Sequence, residues 1–135
     1  MIRMNRLRKR SPKTAHVRTL TLWFNRYIRL RDKDRKCISC GIRPVEHAGH
    51  YYSTSQCPHP SMRFHEKNVN GQCCHCNTFN EGNRQGYRTG LIRKYGEQAL
   101  TELEMCRTLA KNKWTEFEYR ALADHYRLKC KEIAK

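Results

Sequence analysis

Whatever fold this chain adopts, it must bring together two cysteine pairs, Cys37-Ile-Ser-Cys40-Gly41 and Cys73-Cys74-His75-Cys76-Asn77. A C-x-x-C turn presents two thiolates to one ion, and two such turns complete a tetrahedral four-cysteine zinc site. Between the pairs lies Glu46-His47-Ala48-Gly49-His50-Tyr51, and an asparagine follows the last cysteine. A purely structural knuckle needs neither the histidine nor the asparagine. A neutral imidazole can take a proton from water at physiological pH, and an amide oxygen can bind a hard divalent cation. Together they point to chemistry on a phosphodiester, although a lone histidine beside a knuckle more often packs or faces solvent.

The chain of 135 residues is 30% charged and 38% hydrophobic, enough for one domain with appendages but short of material for a large core. Bound zinc is expected to supply the missing stability, on the order of 10 kcal/mol of apparent binding free energy. The formal net charge is +16. Residues 1–36 carry thirteen Lys or Arg against Asp32 and Asp34, a local net of +11, so the basic charge is concentrated at the start. A polyanionic partner, DNA or RNA, follows from that concentration. The candidate contacts are Arg3, Arg6, Arg8, Lys9, Arg10 and Lys13 on the leading arm, and Arg18, Arg26 and Arg29 beyond it.

No apolar stretch approaches the roughly 20 residues that span a bilayer, and no lipidation motif is visible. The basic start lacks the apolar run of a secretory signal, so the chain is expected inside the cell, in a reducing cytoplasm. There Cys57, Cys74, Cys106 and Cys130 are expected as free, partly buried thiols, a second metal site at Cys57 and His59 having too few partners.

The organisation follows from pattern. Residues 1–15 read as a flexible basic arm and 16–36 as a basic amphipathic helix with Leu20, Trp23, Phe24, Tyr27 and Ile28 on its core side. Residues 37–96 form the zinc core, with strands at 48–52 and 62–64, a turn at 68–71, and a helix from the second knuckle that breaks near 82–86. Residues 97–135 read as two helices, the second capped by Thr115-Glu116-Phe117-Glu118 and carrying an apolar stripe of Phe117, Ala121 and Leu128. The fold class is α+β.

The spacing Cys37-x-x-Cys40, Gly49-His50, Asn68-Val69, Cys73-x-x-Cys76-Asn77 resembles the HNH, or His-Me finger, nucleases. More closely it resembles the bacteriophage NinG (Rap) family, through Ala48-Gly49-His50-Tyr51, Arg63-Phe64, Glu66-Lys67-Asn68, Gln72-Cys73, Gly82-Asn83 and Tyr87-Arg88. The resemblance covers roughly residues 36–96. It implies a zinc-braced, treble-clef-like ββα core flanked by helices, and an endonuclease for Holliday junctions and D-loops in phage recombination. In that scheme His50 is the general base, Asn77 a ligand of a catalytic Mg2+ or Mn2+, and Asn68 a support for the hairpin. Cys37, Cys40, Cys73 and Cys76 hold structural zinc, whose closed thiolate shell takes no part in the reaction.

One departure matters. NinG-like sequences have Asp where this chain has His47, so either His47 is the second ligand, favouring manganese or another transition ion, or Glu46, Glu66 or Glu81 supplies an oxygen, or the chain cleaves poorly. Cleavage of a four-way junction on two strands implies a two-fold homodimer, working with phage or host recombination proteins. The rival readings are a non-catalytic zinc module that binds DNA or RNA, and a protein adaptor working through its C-terminal helices.

Overall fold

The computed structural model describes residues 12–109 and 113–134. Helix α1 (Pro12–Asp32) is followed by strand β1 (His47–His50), the single-turn α2 (Pro60–Arg63) and strand β2 (Val69–Gln72). A π-helical turn (His75–Phe79), then α3 (Arg84–Tyr95), α4 (Gln98–Leu109) and α5 (Glu116–Ile133) complete the chain. The protein is thus a mostly helical α+β structure with a two-stranded antiparallel sheet in register His47 to Gln72 and His50 to Val69.

The first core lies between α1 and α5. Leu20, Phe24, Tyr27 and Ile28 of α1 are buried as their spacing predicts, while Trp23 is only partly covered, with the Arg26 guanidinium 5.6 Å above its ring. Phe24 meets Phe64 and Tyr126 edge-on at 5.5 and 4.9 Å, geometries that add to area burial. A second core gathers Cys57, Met62, Tyr87, Leu91 and Leu103 beneath α3 and α4. The four knuckle cysteines form a third cluster.

Several expectations are corrected. The helix of the N-terminal region begins at Pro12 and not at 16, since proline suits the first helical turn, where its missing N–H costs nothing. Met62 and Arg63 lie on α2 and not on a strand; the second strand is Val69–Gln72, where a turn was expected. On α5 the buried face is Tyr119, Ala123, Tyr126 and Cys130, while Phe117 and Leu128 of the expected stripe are 77% and 51% exposed. That face is the one turned to α1, where Tyr126 packs on Phe24 at 4.9 Å and its hydroxyl hydrogen-bonds Glu66 at 3.1 Å. Thr115 caps α5 as expected, its hydroxyl accepting from the Glu118 amide.

Asp32, 2% exposed at the end of α1, ties three elements together. It accepts two bonds from Arg31 (2.9 and 2.9 Å), one from Lys94 of α3 (3.0 Å) and one from the Gly71 amide of β2 (2.8 Å). These partners outweigh the cost of burial and hold its carboxyl at about 2, whereas burial and the Arg31 charge push Lys94 down to about 8. Gly86 and Gly90, one turn apart on α3, let the first knuckle lie on the helix backbone. A Cβ at Gly90 would stand 1.8 Å from the Ile38 carbonyl oxygen.

Candidate zinc module and catalytic cleft

Each knuckle turn places its own thiols, and the pairing of β1 with β2 brings the turns together. The four Sγ atoms of Cys37, Cys40, Cys73 and Cys76 lie within 4.8 Å of one another, with Cys40 and Cys73 at 4.0 Å. A zinc–sulfur bond of about 2.3 Å sets tetrahedral sulfur separations of about 3.8 Å, so the cluster fits one zinc ion with small adjustment. Amides of Ser39 and Cys76 point at the Cys37 and Cys73 sulfurs (3.4 Å each), and Asn83 Nδ2 at that of Cys76 (3.5 Å). Burial pushes Cys37 up and Cys76 to about 12, while at Cys40 the Arg43 and Ile42 amides outweigh burial and bring the thiol to about 7. Four thiolates here need the counter-charge that a divalent ion supplies, so zinc binding releases protons. Among the described residues no other cluster of this kind occurs, and Cys57–His59 does not form one.

His50 closes β1, and every group around it is pinned. Gly49 O accepts from the Tyr87 hydroxyl (2.7 Å), and the Tyr51 amide donates to Asn68 O (2.8 Å). The His50 Nε2 atom lies 2.9 Å from the Arg63 carbonyl oxygen. A carbonyl only accepts, so Nε2 carries the proton and Nδ1 is left as the basic nitrogen. Burial holds the imidazole below its ordinary value, outweighing the Arg63 carbonyl that favours protonation, and the Arg63 charge adds to the lowering.

Asn68, fully buried, fixes the loop that supplies this carbonyl. Its Oδ1 accepts from the Tyr52 amide (2.8 Å), and its Nδ2 donates to the carbonyls of Tyr52 (3.1 Å) and Met62 (3.0 Å). Its place in the structure is therefore behind His50, at the root of the hairpin.

His50 and Asn77 line one cleft of about 430 Å³ with Tyr51, Glu81 and Arg84. Arg84 stacks on Tyr51 (5.2 Å) and bonds Gln56 Oε1, which leaves a cation on the cleft wall. Asn77 Nδ2 lies 3.0 Å from His47 Nδ1, so those two side chains are in direct contact. Of the carboxylates named as alternatives to His47, Glu66 bonds Tyr27 and Tyr126 in the first core and Glu46 accepts from the Cys74 amide. Only Glu81 lines the cleft.

Lys13, Arg18, Arg26 and Arg29 are exposed on α1, and Arg3, Arg6, Arg8, Lys9 and Arg10 lie outside the described residues. Arg18 and Arg29 share a shallow groove with Thr21, Asn25 and Arg63, where Arg63 donates to Thr21 Oγ1 at 3.2 Å. Sequence reasoning gave Arg63, Arg84 and Gln72 no role; their only signal was that Arg63 and Gln72 fall within the quoted motif segments.

Fold and site define a class: a small α+β protein built on a four-cysteine module that fits zinc, with a histidine–asparagine cleft beside it. The comparisons place it further. The model of the family described as Bacteriophage Lambda NinG protein matches residues 2–135, and the chain belongs to that family. It is 36% identical over 124 residues to Protein ninG of Escherichia phage 933W, covering 90% of this chain and 60% of that protein. It is 35% identical over 124 residues to the ninG proteins of Escherichia phage lambda and Salmonella phage P22, covering 59% of each. The chain thus spans about three fifths of the length of the curated relatives it matches. No solved structure matches it. Among the described residues no helix is long and apolar enough to cross a membrane.

Proposed function

We propose that the protein is a metal-dependent DNA endonuclease of the HNH type that cuts branched recombination intermediates, such as Holliday junctions and D-loops, in the cytoplasm of a phage-infected cell. The observation that carries this reading is the fixed tautomer of His50, whose Nδ1 is left as a base on a residue lining the same cleft as Asn77. The order hairpin, turn and α3 around the cysteine cluster supports the ββα assignment.

In this mechanism His50 Nδ1 takes the proton of a water molecule as its oxygen attacks phosphorus in line. The bond from phosphorus to the 3′ oxygen breaks, the leaving oxygen is protonated from solvent, and the products are a 5′ phosphate and a 3′ hydroxyl. Asn77 and His47 would hold Mg2+ or Mn2+, which when bound supplies charge stabilisation to the phosphorane-like transition state. Arg84 positions the phosphate from the cleft wall, and Asn68 keeps the Arg63 carbonyl in place so that His50 cannot turn. Phosphates of the DNA arms follow the α1 groove of Arg18, Arg29 and Arg63, and the carbonyl of that same Arg63 is the partner of His50 Nε2. Selection is by the shape of the branched DNA, through contacts to phosphates. Two strands of a junction require two such sites, which a two-fold homodimer supplies.

The test is cleavage of a labelled four-way junction beside a linear duplex of the same sequence, with Mg2+ or Mn2+, binding being recorded in the same samples. The account expects preferential cutting of the junction by wild type, and binding without cutting by His50→Ala. Binding by both proteins with no cutting in either metal makes the protein a zinc-stabilised DNA-binding module instead.

A further inference from the structure

Among the described residues one buried side-chain polar atom has no hydrogen-bond partner, Gln72 Oε1. Its direction is fixed from the other end of the amide, where Nε2 donates to Ser39 Oγ at 2.8 Å and to the Gly82 carbonyl at 2.6 Å. Turning the amide over would set two oxygens against each other, so Oε1 faces away from Gly82. What it faces is the sheet surface that carries His47, directly opposite Gln72 in the register. A Cβ placed on Gly49 would stand 1.8 Å from Gln72 Oε1 and 3.2 Å from Asn77 Oδ1. The two amide oxygens therefore converge over Gly49, no more than about 5 Å apart, while Asn77 also touches His47 Nδ1. That spacing is within reach of one hard cation with ligand bonds of about 2.1 Å and some side-chain adjustment. An unpaired buried carbonyl oxygen costs about 1–3 kcal/mol. A leucine or methionine would fill the same space without that cost.

We propose that Gln72 Oε1 is an oxygen ligand of the cation site formed with Asn77 and His47, supplying a hard donor that His47 does not. The inference rests on the reading of the cleft given above. Two neutral amide oxygens and an imidazole leave the ion's charge uncompensated for the phosphate, and they favour Mn2+ over Mg2+. Ser39 sits within the first knuckle and Gly82 beyond the second, so the zinc module itself aims the ligand. Cation entry breaks the Asn77–His47 contact, because both use the same imidazole lone pair. Gly49 is required here, since any larger residue would collide with the ligand oxygen.

The experiment is titration of the zinc-loaded full chain with Mn2+ in the absence of DNA, free Mn2+ being followed by its paramagnetic resonance and zinc content measured in the same samples. Gln72→Glu sets its second oxygen against the Gly82 carbonyl and so lowers stability, but its added charge should tighten Mn2+ binding, whereas Gln72→Met should weaken that binding about 10-fold or more with zinc retained. If Gln72→Met binds as wild type while Asn77→Ala is weakened, Gln72 only packs, and the cleft reading survives without it. If Asn77→Ala is also unchanged, or wild type binds no Mn2+, the cation site of the proposed function falls as well. Should Gln72→Met lose zinc, Gln72→Glu decides: tighter Mn2+ binding with zinc retained supports the ligand role. Unchanged or weaker binding, or loss of zinc here too, makes Gln72 a strut of the zinc module.

Discussion

Replacing Asn68 by alanine removes three hydrogen bonds at once, leaving the part-buried Tyr52 amide and carbonyl without this partner and the buried Met62 carbonyl with only the His65 amide at 3.3 Å. Each such group costs about 1–3 kcal/mol, and allowing for partial rescue by entering water we expect a loss of about 3 kcal/mol. For a domain of this size that corresponds to a fall in melting temperature of about 10 °C. Asn68→Asp is the sharper probe. It keeps the acceptor for the Tyr52 amide but sets a buried carboxylate against two carbonyl oxygens. It should therefore be more destabilising than alanine at pH 7 and recover as acid protonates it. The Arg63 carbonyl loosens with the loop, so junction cutting should fall in both variants while junction binding persists. Thermal unfolding of the zinc-loaded chain by circular dichroism, with amide exchange at Arg63, measures this directly. Alanine within 1 kcal/mol of wild type, or aspartate milder than alanine, would refute the role given to Asn68.

Further predictions concern the metal, the charges and the cleft. Removing zinc with a chelator, or Cys73→Ser, should unfold the region of residues 37–83 cooperatively, since about 10 kcal/mol of binding free energy is folding free energy there; retained native spectra after zinc loss would contradict this. The Asp32 carboxyl is depressed to about 2, so its contribution of about 2 kcal/mol is complete above the ordinary carboxylate pKa of about 4. It is lost as pH falls through about 2, and Asp32→Asn should flatten that acid limb in stability against pH. Gly49→Ala places a methyl group 1.8 Å from Gln72 Oε1 and should cost about 2 kcal/mol by chemical denaturation, more than alanine does at an open glycine. Because burial lowers the His50 pKa, cleavage should rise with pH and level off at a midpoint below the ordinary histidine value of about 6.5; a midpoint above it would remove His50 as the base.

What could be read ahead of the structure was whatever local chemistry determines. The C-x-x-C spacing has few solutions, so the thiol cluster was legible, as were the apolar spacing of α1 and the Thr115 cap. The second strand was not, because Asn68-Val69-Asn70-Gly71 has the composition of a turn; its buried asparagine and glutamine are tolerated only because Tyr87, Lys94, Ser39 and Gly82 meet them from distant elements. The buried face of α5 was misjudged for a related reason: Tyr119 and Tyr126 score as half-polar alone but become core once α1 and Phe64 lie against them. The position of His50 on the cleft followed from the motif. Its tautomer depends on a backbone carbonyl thirteen residues away, which no side-chain pattern encodes.

The central claim is that His50 Nδ1 is the base, and chemical rescue tests it most directly. Single-turnover cleavage of a four-way junction would be followed for wild type and His50→Gly, with and without added imidazole, at saturating protein and constant zinc content. The account predicts that His50→Gly binds the junction, does not cut it, and recovers cutting as imidazole is added, with a pH midpoint that moves to the pKa of the added base. Cutting by His50→Gly at the wild-type rate without imidazole, or no cutting by wild type, would contradict it.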